Sequence, residues 1–193
     1  MAIQFRDRTI DDFKGKLVGG GARPNLFEVE LNFPAGLDID AGGDVPEKMR
    51  FMIKAAELPA SNVGDIPVAF RGRILHVAGD RTFDSWTVTI INDTDFAIRS
   101  AFEKWMNAIN RVSDNTGSTD PASYQADAFV HQLDRNGETL RSYRFYDLFP
   151  TNISPINLSY DTEGIQEFTV EMQVHWWEAS KGRGPAAGGD DIN

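Results

Sequence analysis

Two segments far apart in the sequence alternate strictly between apolar and polar residues, and this alternation constrains the fold more than any other feature. The first is NLFEVELNF at residues 25–33, and the second is IQEFTVEMQVHWW at residues 165–177. Successive side chains of a β-strand point to opposite faces, so both segments predict strands with one buried face and one polar face. The chain is therefore expected to fold mainly as β-structure.

After Thr94 the period changes from two residues to three or four, which is typical of an amphipathic helix. The pattern predicts a helix of about five turns over residues 94–112, with Asp93 or Thr94 as its cap. Its apolar stripe consists of Ile98, Phe102, Trp105, Ile109 and Val112. We expect this stripe and Trp86 of the preceding strand to pack the helix against the core.

Further strands are predicted between residues 49 and 91, in the segments MRFMIKAAELPAS, IPVAF, RILHVAG and FDSWTVTII. Asn136 and Gly137 predict a hairpin between two more strands, because both central residues of a type I′ turn need positive φ. The predicted fold is mostly β, a β-sandwich or open barrel of about seven or eight strands with one flanking α-helix.

A single domain is expected over residues 25–178. Residues 1–24 predict an N-terminal arm, with a flexible joint at the glycine triplet 19–21. Residues 179–193 have the composition of a flexible, solvated C-terminal tail. The Gly- and Asp-rich segment 34–48 predicts a long polar loop.

Composition excludes several classes of protein. The 193 residues include no cysteine, which excludes disulfides, thiolate catalysis and Cys-based zinc sites. A formal net charge of −10 opposes attraction to nucleic-acid phosphates. No stretch approaches the roughly 18 apolar residues of a membrane span, and the N-terminus has no signal-peptide pattern. We therefore expect no membrane partner and a product that stays where it is made.

The residues that could carry chemistry form no catalytic or metal-binding motif. His76, His131 and His175 lie in separate predicted strands, without the close spacing of metal ligands. The segment DIDAGGD offers carboxylates for calcium, but the twelfth position of such a loop is Met49 and not glutamate. Carboxylates paired only by the fold would not be visible in this spacing. We expect no enzyme activity, no cofactor and no metal.

Residues 77–93, VAGDRTFDSWTVTIIND, crowd charged and aromatic residues into one short segment. Asp80, Arg81 and Asp84 are predicted to lie in a turn beside Phe83 and Trp86, where a strand follows. Such a segment fits either a catalytic site or a contact between subunits. In a contact, the charges would fix the register and the aromatic rings would supply buried area.

Glutamates occupy the polar face of both alternating segments. They are Glu28 and Glu30 in the first segment and Glu167 and Glu171 in the second. A solvated sheet face explains them, and so does a carboxylate-lined face that looks into a cavity.

Five segments together resemble the tail tube protein of contractile-tailed, myovirus-type bacteriophages. They are ARPNLFEVEL, KAAELPAS, IPVAFRGRILHVAGDRTFDSWTVTIIND, FEKW and PTNISPINLSYDTEGIQEFTVEMQVHWWE. The resemblance spans residues 22–178, and its most specific element is AGDRTFDSWTVTI. It implies a structural subunit, six copies of which close into a ring. The rings would stack helically, and double-stranded DNA would pass through the lumen without specific binding while a sheath contracts outside.

The resemblance also implies sheath, baseplate and tail terminator proteins as partners, and a place in the virion tail after assembly in the host cytoplasm. On this interpretation, Asp80, Arg81, Phe83 and Asp84 are interface residues, and the four glutamates line the lumen, where they would repel a passing polyanion. The alternatives are a tube subunit of an R-type bacteriocin or a type VI-like contractile injection system, or a small-ligand-binding β-barrel.

Overall fold

The computed structural model describes residues 9–34, 37, 45–161 and 163–180. The helices are α1 (Ile10–Lys16), α2 (Val45–Met52) and α3 (Ala97–Ile109), with short 3₁₀ turns at Val18–Gly20 and Pro121–Ser123. The strands are β1 (Phe27–Leu31), β2 (Ile53–Ala56), β3 (Ser61–Phe70), β4 (Arg73–Phe83), β5 (Trp86–Ile91), β6 (Ala126–Leu133), β7 (Thr139–Ile153), β8 (Glu167–Gln173) and β9 (Trp176–Ala179). The mostly β fold is confirmed.

Seven strands form one antiparallel sheet in the order β1-β6-β7-β8-β5-β2, with β9 added alongside β7. Strand β7 pairs with β6 and β9 over its first part and with β8 over its second part. Between these parts Asp147 has a left-handed φ of 53°, and the pairing register shifts on either side. Bulges of this kind let one strand pass from one layer to another. We call β1, β6, β9 and the first part of β7 the first half-sheet, and the remainder the second half-sheet.

The inward faces of the two half-sheets share one hydrophobic core. Val29 and Val130 come from the first half-sheet and Val88 and Val170 from the second, and all four are buried in the same cluster. Helix α2 contacts β1, β2, β5 and α3, and so covers the gap between the edge strands β1 and β2. The result is a sandwich that is closed on one side by helices.

The sequence does not predict helix α2; its pattern predicts a loop over residues 34–48 and a strand from Met49. The helix forms because Val45 and Met49, one turn apart, are both buried against the sheet. The strand begins only at Ile53. Most of the predicted loop, including the candidate calcium ligands Asp38, Asp40 and Asp44, lies outside the described residues.

Helix α3 is shorter at both ends than the predicted 94–112. It starts at Ala97 because Phe96 takes a left-handed conformation, with φ 55°. Neither Asp93 nor Thr94 caps it; the carboxylate of Asp95 accepts a hydrogen bond from the Ala97 amide at 3.0 Å. Val112 lies beyond the helix and is 92 % exposed.

The predicted N-terminal arm contains helix α1, which the sequence pattern did not reveal. Thr9 and Asp12 form a reciprocal capping box at its start. The helix buries none of its residues. Residues 1–8 of the arm and residues 181–193 of the predicted tail lie outside the described part of the chain.

Candidate subunit interface on the β3–β4 hairpin

Strands β3 and β4 form a two-stranded sheet of their own, separate from the seven-stranded sheet. Arg71 and Gly72 connect them, and both have positive φ, 49° and 82°. This is the backbone that a two-residue hairpin turn requires, and glycine adopts it at low cost. Within the described residues, the outer edges of both strands pair with no other strand. These edges are free to accept a strand from another chain.

One face of this hairpin is apolar and has no partner among the residues that the structure describes. Ile66 pairs with Val77 and Val68 pairs with Leu75, so these side chains project from the same face, together with Phe70. All of them are exposed, by 43–68 %. A contiguous apolar patch of this kind on a folded subunit marks an interaction surface.

The opposite face of the hairpin is mixed, because the exposed Ile74, which pairs with Ala69, lies there beside polar and small residues. It carries Asp65 and Pro67 from β3, and His76 and Ala78 from β4. The Nδ1 atom of His76 lies 2.7 Å from a carboxylate oxygen of Asp65. The hairpin therefore has one continuous apolar face and one mixed face, although it stands apart from the core of its own subunit.

The four predicted interface residues divide into two groups. Asp80 and Arg81 are exposed on β4, so the prediction that they lie in a turn is wrong; the strand continues to Phe83. The ring of Phe83 instead packs edge-on against Trp177, with centroids 6.3 Å apart. Asp84 accepts a hydrogen bond from the Asn62 side chain at 2.8 Å. Phe83 and Asp84 thus hold the base of the hairpin, and the other two remain accessible.

The four predicted lumen glutamates also divide into two groups. Glu28 and Glu30, on the first half-sheet, both pair with Arg50, and the contact to Glu30 is 3.0 Å long. On the second half-sheet, Glu167 pairs with Lys54 at 2.7 Å. Glu171 there accepts a hydrogen bond from the Ser85 hydroxyl, also at 2.7 Å.

These glutamates project away from the shared core on different half-sheets. Alternation tells which residues share a face of one strand, but not which strands lie side by side. That all four carboxylates line one lumen stays a prediction.

The predicted helix-packing residues lie at the centre of the molecule. Ile98, Phe102 and Trp105 are buried and Ile109 is half-buried. The Trp105 indole donates a hydrogen bond to the Tyr124 carbonyl at 2.7 Å, which satisfies its polar atom inside the core. Trp86 is also buried, on β5.

Lys48 of α2 binds two carboxylates at the start of α3, those of Asp93 and Asp95. The hydrogen bonds from Lys48 lower the pKa of both aspartates below the ordinary value. The bond to Asp93, together with that to Asp95, raises the pKa of Lys48. This ion cluster ties the two helices that cover the open side of the sandwich.

The described residues contain no group of three or more His, Asp or Glu side chains placed to hold a metal ion. None of the helices in the same part of the chain is long and apolar enough to cross a membrane.

Comparison with known proteins decides the family. The family described as phage tail tube protein matches residues 22–180. This chain belongs to that family. The tail tube protein gp19 of Enterobacteria phage T4 is 37 % identical over 163 residues, covering 83 % of this chain and 93 % of the relative. The resemblance inferred from the sequence is confirmed, and the chain is a tail tube subunit of the virion.

Solved structures share the fold of this tail tube subunit. A chain of the anti-feeding prophage baseplate, 6-fold symmetrised, superposes with a TM-score of 0.58 at 10 % identity, covering 83 % of this chain and 95 % of that chain. A chain of the sheath-tube complex of an extracellular contractile injection system, PVC, gives 0.52 at 11 % identity, covering 86 % and 96 %. At sequence identities this low, the structural similarity shows a shared fold and nothing more.

Sequence reasoning missed the apolar face of the hairpin, although the signal was present. In IPVAF the apolar residues Ile66, Val68 and Phe70 alternate, and in RILHVAG Leu75 and Val77 do the same. Read as two short core strands, these segments predict burial. The exposure of these side chains in the structure shows that the face is uncovered within the described residues.

Proposed function

We propose that this tail tube subunit closes into hexameric rings, and that the rings stack helically into a hollow tube. The tube would serve as the conduit for double-stranded DNA during ejection, inside a contractile sheath. The observation that carries the proposal is the β3–β4 hairpin, whose apolar face and strand edges find no partner within the described subunit. Because every copy of the subunit carries the same hairpin, each copy can make the same contact with its neighbour.

The hairpin can contribute binding free energy to such a contact and can also fix the register of the strands that meet there. Each of its half-exposed apolar side chains would gain about 1 kcal/mol on becoming fully buried. The ladder hydrogen bonds of a free edge would fix the position of the neighbouring strand along it. Asp80 and Arg81 lie on β4 beyond the apolar face, where complementary charges can select one register over another.

An electronegative bore suits a conduit that must not retain DNA. The net charge of −10 supports it, since a surface poor in uncompensated Lys and Arg releases few counterions to a passing duplex. The carboxylates of Glu28, Glu30, Glu167 and Glu171 would line this bore. Arg50 or Lys54 would moderate the negative charge there.

The proposed partners are the sheath, baseplate and tail terminator proteins, and the proposed place of assembly is the host cytoplasm. The two structures with the same fold come from a baseplate and from a sheath-tube complex, which supports the sheath and baseplate proteins as partners. The role is structural and not catalytic. The fold likeness to an injection-system tube also favours a second candidate, a tube subunit of an R-type bacteriocin or type VI-like machine, in which the bore would carry cargo other than DNA.

Negative-stain microscopy and sedimentation of the purified protein test the proposal directly. We expect rings and tubes from the native chain. Val68→Asp, on the apolar face of the hairpin, should abolish them, whereas Ala69→Asp, on the opposite face of the same strand, should not. Both variants should melt at the native temperature, because neither residue belongs to the core. A native chain that stays monomeric at all concentrations and ionic strengths would refute the proposal.

A further inference from the structure

The tip of the β3–β4 hairpin carries two arginines whose charges are not neutralised within the described subunit. Arg71 and Arg73 flank Gly72 and are exposed, and neither forms an ion pair with a described residue. The Arg71 guanidinium lies over the ring of Phe70, 5.2 Å from its centroid. The side chains of Phe70 and Ile74 are themselves exposed. The tip therefore presents cations and apolar groups together.

The backbone at this tip is strained where an arginine stands. Arg71 has a φ of 49°, in the left-handed region, which is costly for a residue with a Cβ atom and nearly free for glycine. Almost every residue of both strands is exposed, so packing against the described body of the subunit does not offset this strain. A strained conformation at a charged, exposed residue points to a use for that residue outside its own subunit.

The β7–β8 loop, residues 154–166, is a second exposed surface and has the opposite charge. Asp161 and Glu163 are exposed there, and the loop contains no Lys, Arg or His. Neither carboxylate forms an ion pair with a described residue. Leu158, Tyr160 and Ile165 of the same loop are each exposed by 76 % or more. The loop thus combines apolar groups with unpaired carboxylates, as the hairpin tip combines apolar groups with unpaired cations.

Several other carboxylates on the subunit surface already have cationic partners. Glu28, Glu167 and Asp127 each contact a Lys or Arg side chain of their own subunit. An arginine from another subunit would have to displace that cation before it could pair with one of them. The carboxylates of the loop are open to such an arginine without any displacement.

The hairpin and the loop leave opposite ends of one pair of strands. β4 leads into β5 at Trp86, which pairs with Met172 of β8. The loop leads into β8 at Glu167, which pairs with Ile91 at the other end of β5. Because the side chains of both surfaces are exposed, the two do not cover each other within the subunit. Surfaces placed in this way meet head to tail between copies, in a contact that repeats from one copy to the next.

We propose that Arg71 and Arg73 of one subunit bind Asp161 and Glu163 in the β7–β8 loop of a second copy of the chain. A guanidinium can donate two parallel hydrogen bonds to a carboxylate, and it also stacks on an aromatic ring such as that of Tyr160. The apolar side chains beside both charged groups would exclude water and so strengthen these pairs. This inference rests on the proposed assembly into rings and tubes, and it names the surface that receives the hairpin.

Charge reversal on both sides of the contact tests the pairing. Arg73→Glu and Asp161→Arg, each made alone, should raise the protein concentration needed for tubes by about tenfold or more, because like charges then face each other. The double variant restores opposite charges and should recover most of this loss. The control combines Arg73→Glu with Asp11→Arg, whose native side chain is 85 % exposed on α1; it has the same net charge and should recover nothing. All variants should melt at the native temperature, since none of these residues belongs to the core.

Disulfide formation gives a second measurement, because the native chain has no cysteine. Arg73→Cys subunits are mixed with Asp161→Cys subunits, assembled and oxidised, and the products are separated without reductant. The control mixture contains Asp11→Cys in place of Asp161→Cys. Docking raises the local thiol concentration, so covalent dimers should form about tenfold faster in the first mixture.

The outcomes separate this contact from the proposed function. Native tubes without recovery in the double variant, or without the faster cross-link, would overturn the docking and leave the proposed function intact. Normal tubes from Arg73→Glu that retain less duplex DNA than native tubes would assign the tip to phosphate groups, and would also overturn it. Failure of the native chain to form tubes would refute both.

Discussion

Trp86 stacks on Phe145 with ring centroids 4.4 Å apart and ring planes inclined by 22°. Trp86 belongs to β5 and Phe145 to the first part of β7, so the contact joins the two half-sheets through the core. The indole also donates a hydrogen bond to the carbonyl of Glu57 at 2.9 Å, which fixes its orientation. The two half-sheets are thus held face to face by one pair of rings as well as by the shared strand.

Replacing Trp86 by alanine should reduce the free energy of unfolding by about 3–5 kcal/mol, because it leaves a cavity and removes the stack. Urea denaturation followed by circular dichroism measures this loss. Tyr160→Ala is the matched control, since that ring is fully exposed and its removal should change stability by less than about 0.5 kcal/mol. Equal effects of the two substitutions would contradict the structural role given to Trp86.

The Lys48 cluster predicts how stability depends on pH. The pKa values of Asp93 and Asp95 are lowered in the folded chain, so their stabilisation is present above the unfolded pKa of about 4 and is lost as pH falls through the folded values. The pKa of Lys48 is raised, so the contribution of Lys48 to the stability of the fold is lost only at strongly alkaline pH. In the Lys48→Met variant, the urea concentration at the unfolding midpoint should therefore decrease less than in the native chain as the pH falls below about 4.

The control for this pH series is Lys14→Met, on the exposed helix α1, whose only described ion pair is with the highly exposed Asp11. Its profile should follow that of the native chain. If Lys48→Met and the native chain lost stability in parallel on acidification, the cluster would not be the source of the pH dependence.

Gly117 should not tolerate a side chain. It pairs with Asn110 just beyond α3, and a Cβ atom there would lie 2.2 Å from the carbonyl oxygen of Ile109. Gly117→Ala should destabilise the chain by about 1–3 kcal/mol, because the backbone must move to relieve the overlap. Gly164→Ala, where a Cβ meets nothing within 4 Å, is the control for thermal denaturation. An unchanged melting temperature for Gly117→Ala would show that this turn adapts freely.

Charge reversal of Arg81 should lower the yield and length of tubes without lowering the melting temperature. The side chain is exposed on β4 and forms no part of the core, so its contribution would appear only on assembly. Arg135→Glu, on the exposed β6–β7 turn, gives the same change of net charge away from the hairpin. The yield and length of tubes are compared in micrographs of the two variants taken under identical conditions. Normal tubes from Arg81→Glu would show that Arg81 does not belong to the proposed interface.

The sequence predicts what depends on local periodicity. The alternation around Val29 and around Val170 identified two central strands, and the stripe from Ile98 to Trp105 identified the main helix. Each of these signals lies within one element, where burial alone sets the pattern.

What the sequence could not predict depends on long-range pairing. β7 reaches both half-sheets because Asp147 takes a left-handed backbone conformation. The presence of an aspartate in a sequence does not predict that conformation. Arg50 meets Glu28 and Glu30 only after α2 has packed on β1. The exposure of Ile66 and Val68 likewise follows from the isolation of the β3–β4 hairpin, and not from their local pattern.

The passage of β7 through both half-sheets has a mechanical consequence. A force that pulls on one layer of the subunit reaches the other through a continuous covalent backbone, and does not have to be transmitted by side chains alone. Shearing the layers apart would first require the hydrogen bonds on both flanks of Asp147 to break together. A wall built from such subunits would resist tension across its thickness even where its packing is locally loosened.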